Sequence, residues 1–223
     1  MKLDELGLAL LFHTCCRWHR TRCCTKANRR IRLLTPYDLR GKDDLQLSAA
    51  NRISFTFLGR THRQCTNWTE LLRGVQDEMI SIKDSKVYAD FLLGLRSGLA
   101  CPAIMKWAIR KNQNMATAVF SFGGNLDRRL SRNFTNEGGY MRIGDALLQD
   151  VMAAPPVRAN TNIAIGLCMV NQRICISAAW NREVLTESDA AEFLDSFADA
   201  WRQWGLTGLP EKPIAYSQVA NAA

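Results

Sequence analysis

The stretch Ala154–Trp180, "APPVRANTNIAIGLCMVNQRICISAAW", constrains this chain more than any other. It reads as a hairpin: Ile163–Val170 and Ile174–Trp180 are apolar strands, and Asn171-Gln172-Arg173 is the short turn between them, without the usual glycine. A lone two-stranded hairpin is marginal in water. The chain must therefore supply more strands and a layer to cover them. A helix follows at once. Thr186 caps it, with Asp189 three residues on as an imperfect capping box. Ala190, Phe193, Leu194, Phe197, Trp201 and Trp204 form its apolar stripe.

The rest of the chain supplies the other elements. Leu3, Leu6, Leu10, Phe12 and Cys16 put the apolar weight of an opening helix on one side, and the helix runs out near Trp18–Arg22 in basic residues that suit its negative end. Ile31–Leu34 reads as a short strand broken by Pro36. In "AANRISFTFLGR", Ile53, Phe55 and Phe57 share one face, while Ser54, Thr56 and Leu58 share a more polar-tolerant one. From Trp68 to about Lys111 the spacing is helical: Trp68, Leu71, Leu72, Val75 and Met79, then Tyr88, Phe91, Leu92 and Leu95. Gly94 and Gly98 are weak points, and Pro102 starts a new helix. Met115–Asn125, "MATAVFSFGGN", is the clearest β run, and "LDRRLSRNFTNEGG" after it has the polarity of a disordered stretch. The order predicts an α/β (α+β) sandwich, a mixed sheet with helices packed on it. The tail after Gly205 is expected to be loose.

Composition bounds the function classes. The chain has 223 residues, 47% apolar and 22% charged, an ordinary globular balance. Its net charge is +8, of which +6 falls in the first 32 residues. That concentration reads as a solvated helix end and loop rather than the basic face, interleaved with aromatics, of a nucleic-acid module. The longest apolar run near the start, Leu6–Phe12, is far short of a membrane span. Asp4 and Glu5 sit where a secretory signal would be basic, so a cytoplasmic protein is expected.

Few residues suggest chemistry. Cys15, Cys16, Cys23 and Cys24 form two adjacent pairs without a C-x2-C spacing, so plain thiols are favoured over a metal site even with His13 and His19 nearby. Cys168 and Cys175, in apolar strands, read as small buried hydrophobes. The three histidines, His13, His19 and His62, fit no base or ligand pattern. There is no G-x-S-x-G elbow, P-loop or dinucleotide fingerprint. In "SFGGN", Ser121–Asn125, paired glycines after a strand favour a plain turn over a loop that presents backbone N–H groups to a carbonyl or phosphate.

Several segments, taken in order, resemble the C-terminal half of condensation-type acyltransferases, the superfamily of chloramphenicol acetyltransferase, peptide-synthetase condensation domains and wax ester synthases. "DELGLA", Asp4–Ala9, resembles the Asn-Asp-Val-Val-Leu-Ala motif of the wax ester synthases, with Asp4-Glu5 where Asn-Asp is usual. "IRLLTPYDLR" and "AANRISFTFLGR" are similar to the family's strand–Pro–x–x–Leu-Arg stretch and the strand after it. "ATAVFSFGGN" resembles the strand that usually ends Ser-Asn-Leu-Gly; here it reads Ser121-Phe122-Gly123-Gly124. Ala154–Phe197 resembles the closing section: a Pro-Pro turn, a hairpin and a capped helix.

The resemblance implies a two-lobe fold enclosing a tunnel, of which residues 1–205 are the second lobe and 206–223 a loose tail. In the complete family an acyl group passes from a coenzyme A or carrier-protein thioester to an alcohol or amine. The second His of a His-His-x-x-x-Asp motif in the first lobe is the base. This chain has no such string. Loss of a positioned base costs roughly 10²–10⁴ in rate, so little or no activity is expected of the chain alone, with no catalytic residue, metal or covalently bound cofactor. Such a chain is a gene-model fragment, a degenerate copy or half of a split enzyme. Acyl-CoA or an acyl-pantetheine carrier is the expected substrate. An N-terminal-lobe chain, a second copy or an acyl carrier protein is the expected partner. Ser54, Ser121, Gly123 and Asn125 are the candidates for tunnel-facing positions, from strand alternation and the family match. The alternatives are a non-catalytic module that binds acyl groups or carrier proteins and, behind it, a basic nucleic-acid-binding protein.

Overall fold

The structure is a computed structural model that describes residues 2–22, 30–41, 52–103, 106–107, 116–131, 134–138, 140–149, 151, 153–157 and 161–208. Its elements in chain order are α1 (Leu3–Arg22), β1 (Arg30–Asp38), β2 (Ile53–Thr61), α2 (Trp68–Ser85), α3 (Tyr88–Ala100), β3 (Ala116–Asn125), α4 (Leu126–Leu130), β4 (Thr135–Glu137), β5 (Tyr140–Ile143), β6 (Ala146–Leu148), β7 (Thr161–Val170), β8 (Arg173–Trp180) and α5 (Glu187–Thr207). A mixed sheet in the order β2-β1-β3-β7-β8 is the frame, and β4-β5-β6 form a small antiparallel meander. The expected layering of helices on a mixed sheet is what the chain adopts.

One face of the sheet carries Leu33, Leu58, Ala118, Phe120, Ile163, Ile165 and Leu167 and packs under α1, α2 and α5. α1 is the centre of this layer. Every residue from Glu5 to Cys16 is buried, including those on the side the sequence left polar, because the sheet, α2 and α5 enclose it. Gly7 sets how close α1 comes: a Cβ there would lie 2.5 Å from Cζ of Phe120 and 3.3 Å from Trp201. Buried Glu5 accepts hydrogen bonds from the backbone N–H of Lys2 (3.1 Å) and the side-chain amide of Gln76 (3.4 Å). The basic end of α1 is partly neutralised, since Arg22 pairs with Asp189 and Glu192 of α5 and lies over the Trp18 ring at 3.9 Å.

Three expectations change. β1 is not broken at Pro36 but runs to Asp38, with Pro36 opposite Phe55. β1 pairs with β3 only at Leu33 and Leu34, so the missing N–H of Pro36 falls beyond that ladder. On β2 the polar-tolerant face is the buried one: Ser54 and Thr56 lie with Leu58 against the core, while Phe55 and Phe57 are half-buried on the other face. The polar stretch after β3 is ordered in its described part, as α4 and β4, the first strand of the meander. Asp127 of α4 explains part of this, because it accepts the Asn171 backbone N–H at 3.0 Å in the β7–β8 turn.

That turn needs no glycine. Asn171 and Gln172 take φ of 50° and 59°, the double left-handed conformation of the favoured two-residue hairpin turn, and β8 starts at Arg173. The Asn171 side chain donates to the Leu148 and Gln149 carbonyls, fixing the turn to the meander. The expected cap of α5 is present as a full box: the Thr186 hydroxyl accepts from the Asp189 N–H, and the Asp189 carboxylate accepts from the Thr186 N–H. Hydrogen bonds from Thr186, with Arg22 adding a smaller pull, hold the Asp189 carboxyl below its ordinary range. Its stabilising contribution is therefore complete above the ordinary carboxylate value and is lost as pH falls through the depressed folded value. Thr186→Ala is expected to cost about 0.5–2 kcal/mol and to flatten the acid limb of a stability–pH profile followed by urea denaturation. Of the expected loose tail, Leu206 and Thr207 are the last turn of α5, and residues 209–223 lie outside the described residues.

Candidate functional site

Three of the four tunnel candidates sit together at the C-terminal end of β3. Ser121 lies opposite Gly166 of β7, which in turn lies opposite Ser177 of β8, so two serines flank a glycine across three strands. Gly166 is required there. A Cβ would stand 2.6 Å from the Ser177 hydroxyl, 3.0 Å from the Ala153 carbonyl oxygen and 3.0 Å from Pro155. The segment 153–157 thus lies directly on this face of the sheet, and the Ser177 hydroxyl donates to the Ala153 carbonyl. Gly123 packs near Cys168, and its carbonyl accepts from Arg129 at 3.1 Å. β3 bulges between Phe122 and Gly124, where Gly124 takes φ of 80°. The Asn125 side chain is committed locally: its oxygen caps α4 by accepting the Arg128 N–H at 3.0 Å.

Ser54 is placed differently. It lies at the same end of the sheet, opposite Tyr37 of β1, but on the face of Leu58, Ala118 and Phe120, and it is fully buried. Ser121 lies on the other face, with Thr117 and Val119. The structure therefore brings Ser121, Gly123 and Asn125 into one neighbourhood and puts Ser54 in the core layer behind it.

At the opposite end of the sheet the fold joins residues that no sequence spacing connects. Cys16 of α1 places Sγ 3.3 Å from Nδ1 of His62 and 3.8 Å from the His62 carbonyl oxygen. The same carbonyl accepts the Cys65 N–H at 3.2 Å, in a short 3₁₀ turn over Arg63–Cys65 that leads from β2 to α2. The His19 ring meets His62 edge-on at 5.7 Å, and His13 meets Trp68 the same way at 6.3 Å. The Cys65 thiol donates to Cys16 and, with Arg20, lowers the Cys16 thiol despite its burial. That bond and burial push Cys65 up, and burial pushes Cys15 up.

A thiol beside an imidazole is the geometry of an activated nucleophile. Here Cys16, Cys65 and His62 are all no more than 1% exposed. The cluster is closed off from the surface and joins α1 to the β2–α2 turn. Among the described residues, no three His, Cys, Asp or Glu side chains are grouped so as to hold a metal ion. Cys23 and Cys24 lie outside the described residues. Among the described residues, no helix is long and apolar enough to cross a membrane.

No protein-family model matches the chain. No curated protein matches it either. Among solved structures, the chain is similar to one described as the first condensation domain of the CDA synthetase, with 13% identity and a TM-score of 0.49. The match covers 88% of this chain and 42% of that one.

Proposed function

We propose that this chain is one lobe of a condensation-type acyltransferase, the lobe that forms a substrate-tunnel wall but carries no catalytic base. Acyl-CoA or an acyl group on a carrier-protein pantetheine arm is the donor, and an alcohol or amine the acceptor, once a complementary lobe is in place. The reading starts from the order of motifs from Asp4 to Phe197. The Ser121–Asn125 end of β3 is the wall segment.

The observation that carries the reading is α3. Its sequence, "YADFLLGLRSGLA", is apolar, and its Phe91 ring meets Phe55 of β2 edge-on at 5.2 Å. Leu93 and Leu99 are 62% and 67% exposed; Leu92, Val87 before the helix and Trp107 after it are exposed as well. Exposed leucines on a helix flanked by further exposed apolar side chains fit a surface that a partner covers. A second lobe, as a separate chain or a second copy, is the body that covers it.

The test is thiol release from acyl-CoA in the presence of alcohol or amine acceptors. The chain alone is expected to give no turnover above the uncatalysed rate, and turnover is expected after addition of an N-terminal lobe bearing His-His-x-x-x-Asp. Turnover by the chain alone overturns the proposal. Saturable acyl-CoA binding that no added lobe converts into turnover favours the non-catalytic binding module instead.

A further inference from the structure

The parallel ladder between β1 and β3 is short, and its end opens a cavity. Leu33–Ala118 and Leu34–Val119 are paired, but one residue earlier the Arg32 N–H donates to the Thr117 hydroxyl at 3.1 Å instead of to a strand carbonyl. Below that point lies a cleft of about 590 Å³, bounded by Arg30 and Arg32 of β1, His19 of α1, Thr117 of β3 and Asn162 of β7.

Among the described residues the charge of this cleft is unbalanced. Glu78 is the carboxylate on its wall, and it is held by Arg60. Neither Arg30 nor Arg32 has a carboxylate partner among the described residues. Arg32 is nonetheless positioned, with its guanidinium over the Phe57 ring at 4.8 Å. Two guanidinium groups beside a hydroxyl and an amide are the donor set for a carboxylate or phosphate.

The cleft does not end there. A second compartment of about 230 Å³ shares His19, Thr117 and Asn162 with it and runs between α1 and α5. Its walls are apolar: Trp18, Ile163, Leu185 and Phe193, with Trp18 and Phe193 in edge contact at 5.4 Å. A cationic cleft thus adjoins an apolar inner space, smaller than the roughly 300–1,000 Å³ typical of pockets for drug-sized ligands.

We propose that this two-part cavity binds a small amphiphilic anion, a carboxylate or phosphate head carrying a short apolar chain. The head lies between Arg30 and Arg32, and the chain enters beside Trp18 and Phe193. The inference stands apart from the acyltransferase reading, because it involves neither α3 nor the Ser121–Asn125 end of the sheet.

Isothermal titration of the full chain tests it with four probes: octanoate, octyl phosphate, octanol and inorganic phosphate. At least one of the two amphiphilic anions is expected to bind ten-fold or more tightly than octanol and inorganic phosphate, and the better of the two identifies the head group. The double variant R30A/R32A should lose ten-fold or more of that affinity at an unchanged melting temperature. Leu185→Trp, which fills the inner compartment, should weaken the amphiphile and leave inorganic phosphate unaffected. Binding of octanol as tight as that of the anions, binding of inorganic phosphate as tight as that of octyl phosphate, unchanged affinity in both variants, or no binding of any probe overturns the proposal.

Discussion

Phe120→Ala is expected to remove about 3–5 kcal/mol of stability, a large share of the roughly 5–15 kcal/mol that holds a typical domain together. Phe120 is fully buried in the middle strand of the sheet, and its ring fills the space opposite Gly7 of the central helix. The glycine is as necessary as the ring. Gly7→Ala raises helix propensity by about 1 kcal/mol, but it sets a methyl 2.5 Å from the ring edge, and overpacking of that kind costs about 1–3 kcal/mol. The two effects are coupled through one contact. The double variant Gly7→Ala/Phe120→Ala is expected to be more stable than the sum of the single losses, by about 0.5–3 kcal/mol, because the methyl enters the vacated space. Urea denaturation of the four proteins measures this; strict additivity would show that α1 does not seat on Phe120.

Gly166→Val is the second large effect. The side chain would point at the Ala153 carbonyl oxygen and the Pro155 ring, both 3.0 Å from the new Cβ, and neither is the end of a flexible side chain. The segment 153–157 must lift from the sheet, breaking the Ser177–Ala153 hydrogen bond. A loss of about 1–3 kcal/mol is expected, with faster amide exchange confined to residues 153–157 and β8. Gly166→Ala should show the same pattern at smaller amplitude. Unchanged exchange in both variants would place the segment off the sheet.

The fold was legible where side-chain pattern and backbone demand agree. The β7–β8 hairpin, the stripe of α5 and its Thr186 box announce themselves through local chemistry. Pro36 misleads because its cost depends on which neighbour strand is present, and β3 has already stopped pairing there. The face of β2 is misread for a similar reason. Ser54 and Thr56 are small enough to pack under the helices, while the larger Phe55 and Phe57 are left to the thinly covered side. The candidate site was legible as a strand end at Ser121–Asn125 but not as a surface, since alternation alone does not show that Ser54 lies behind it. The Cys16–His62 contact joins separate elements; the i, i+2 spacing of Arg30 and Arg32 puts both on one face of β1, but the His19, Thr117 and Asn162 that complete their cleft come from α1, β3 and β7.

At the centre of the proposed function stands a second body that covers α3. Sedimentation velocity of the wild-type chain and of the variants Leu93→Asp and Leu99→Asp tests it most directly. Both positions are exposed, so the substitutions should change stability by no more than about 0.5 kcal/mol. The wild-type chain is expected to self-associate or to bind an added N-terminal lobe, and each variant to sediment as a monomer in both cases with its melting temperature preserved. A wild-type chain that stays a monodisperse monomer both alone and when mixed with an N-terminal lobe bearing His-His-x-x-x-Asp, indistinguishable from both variants, would contradict the account.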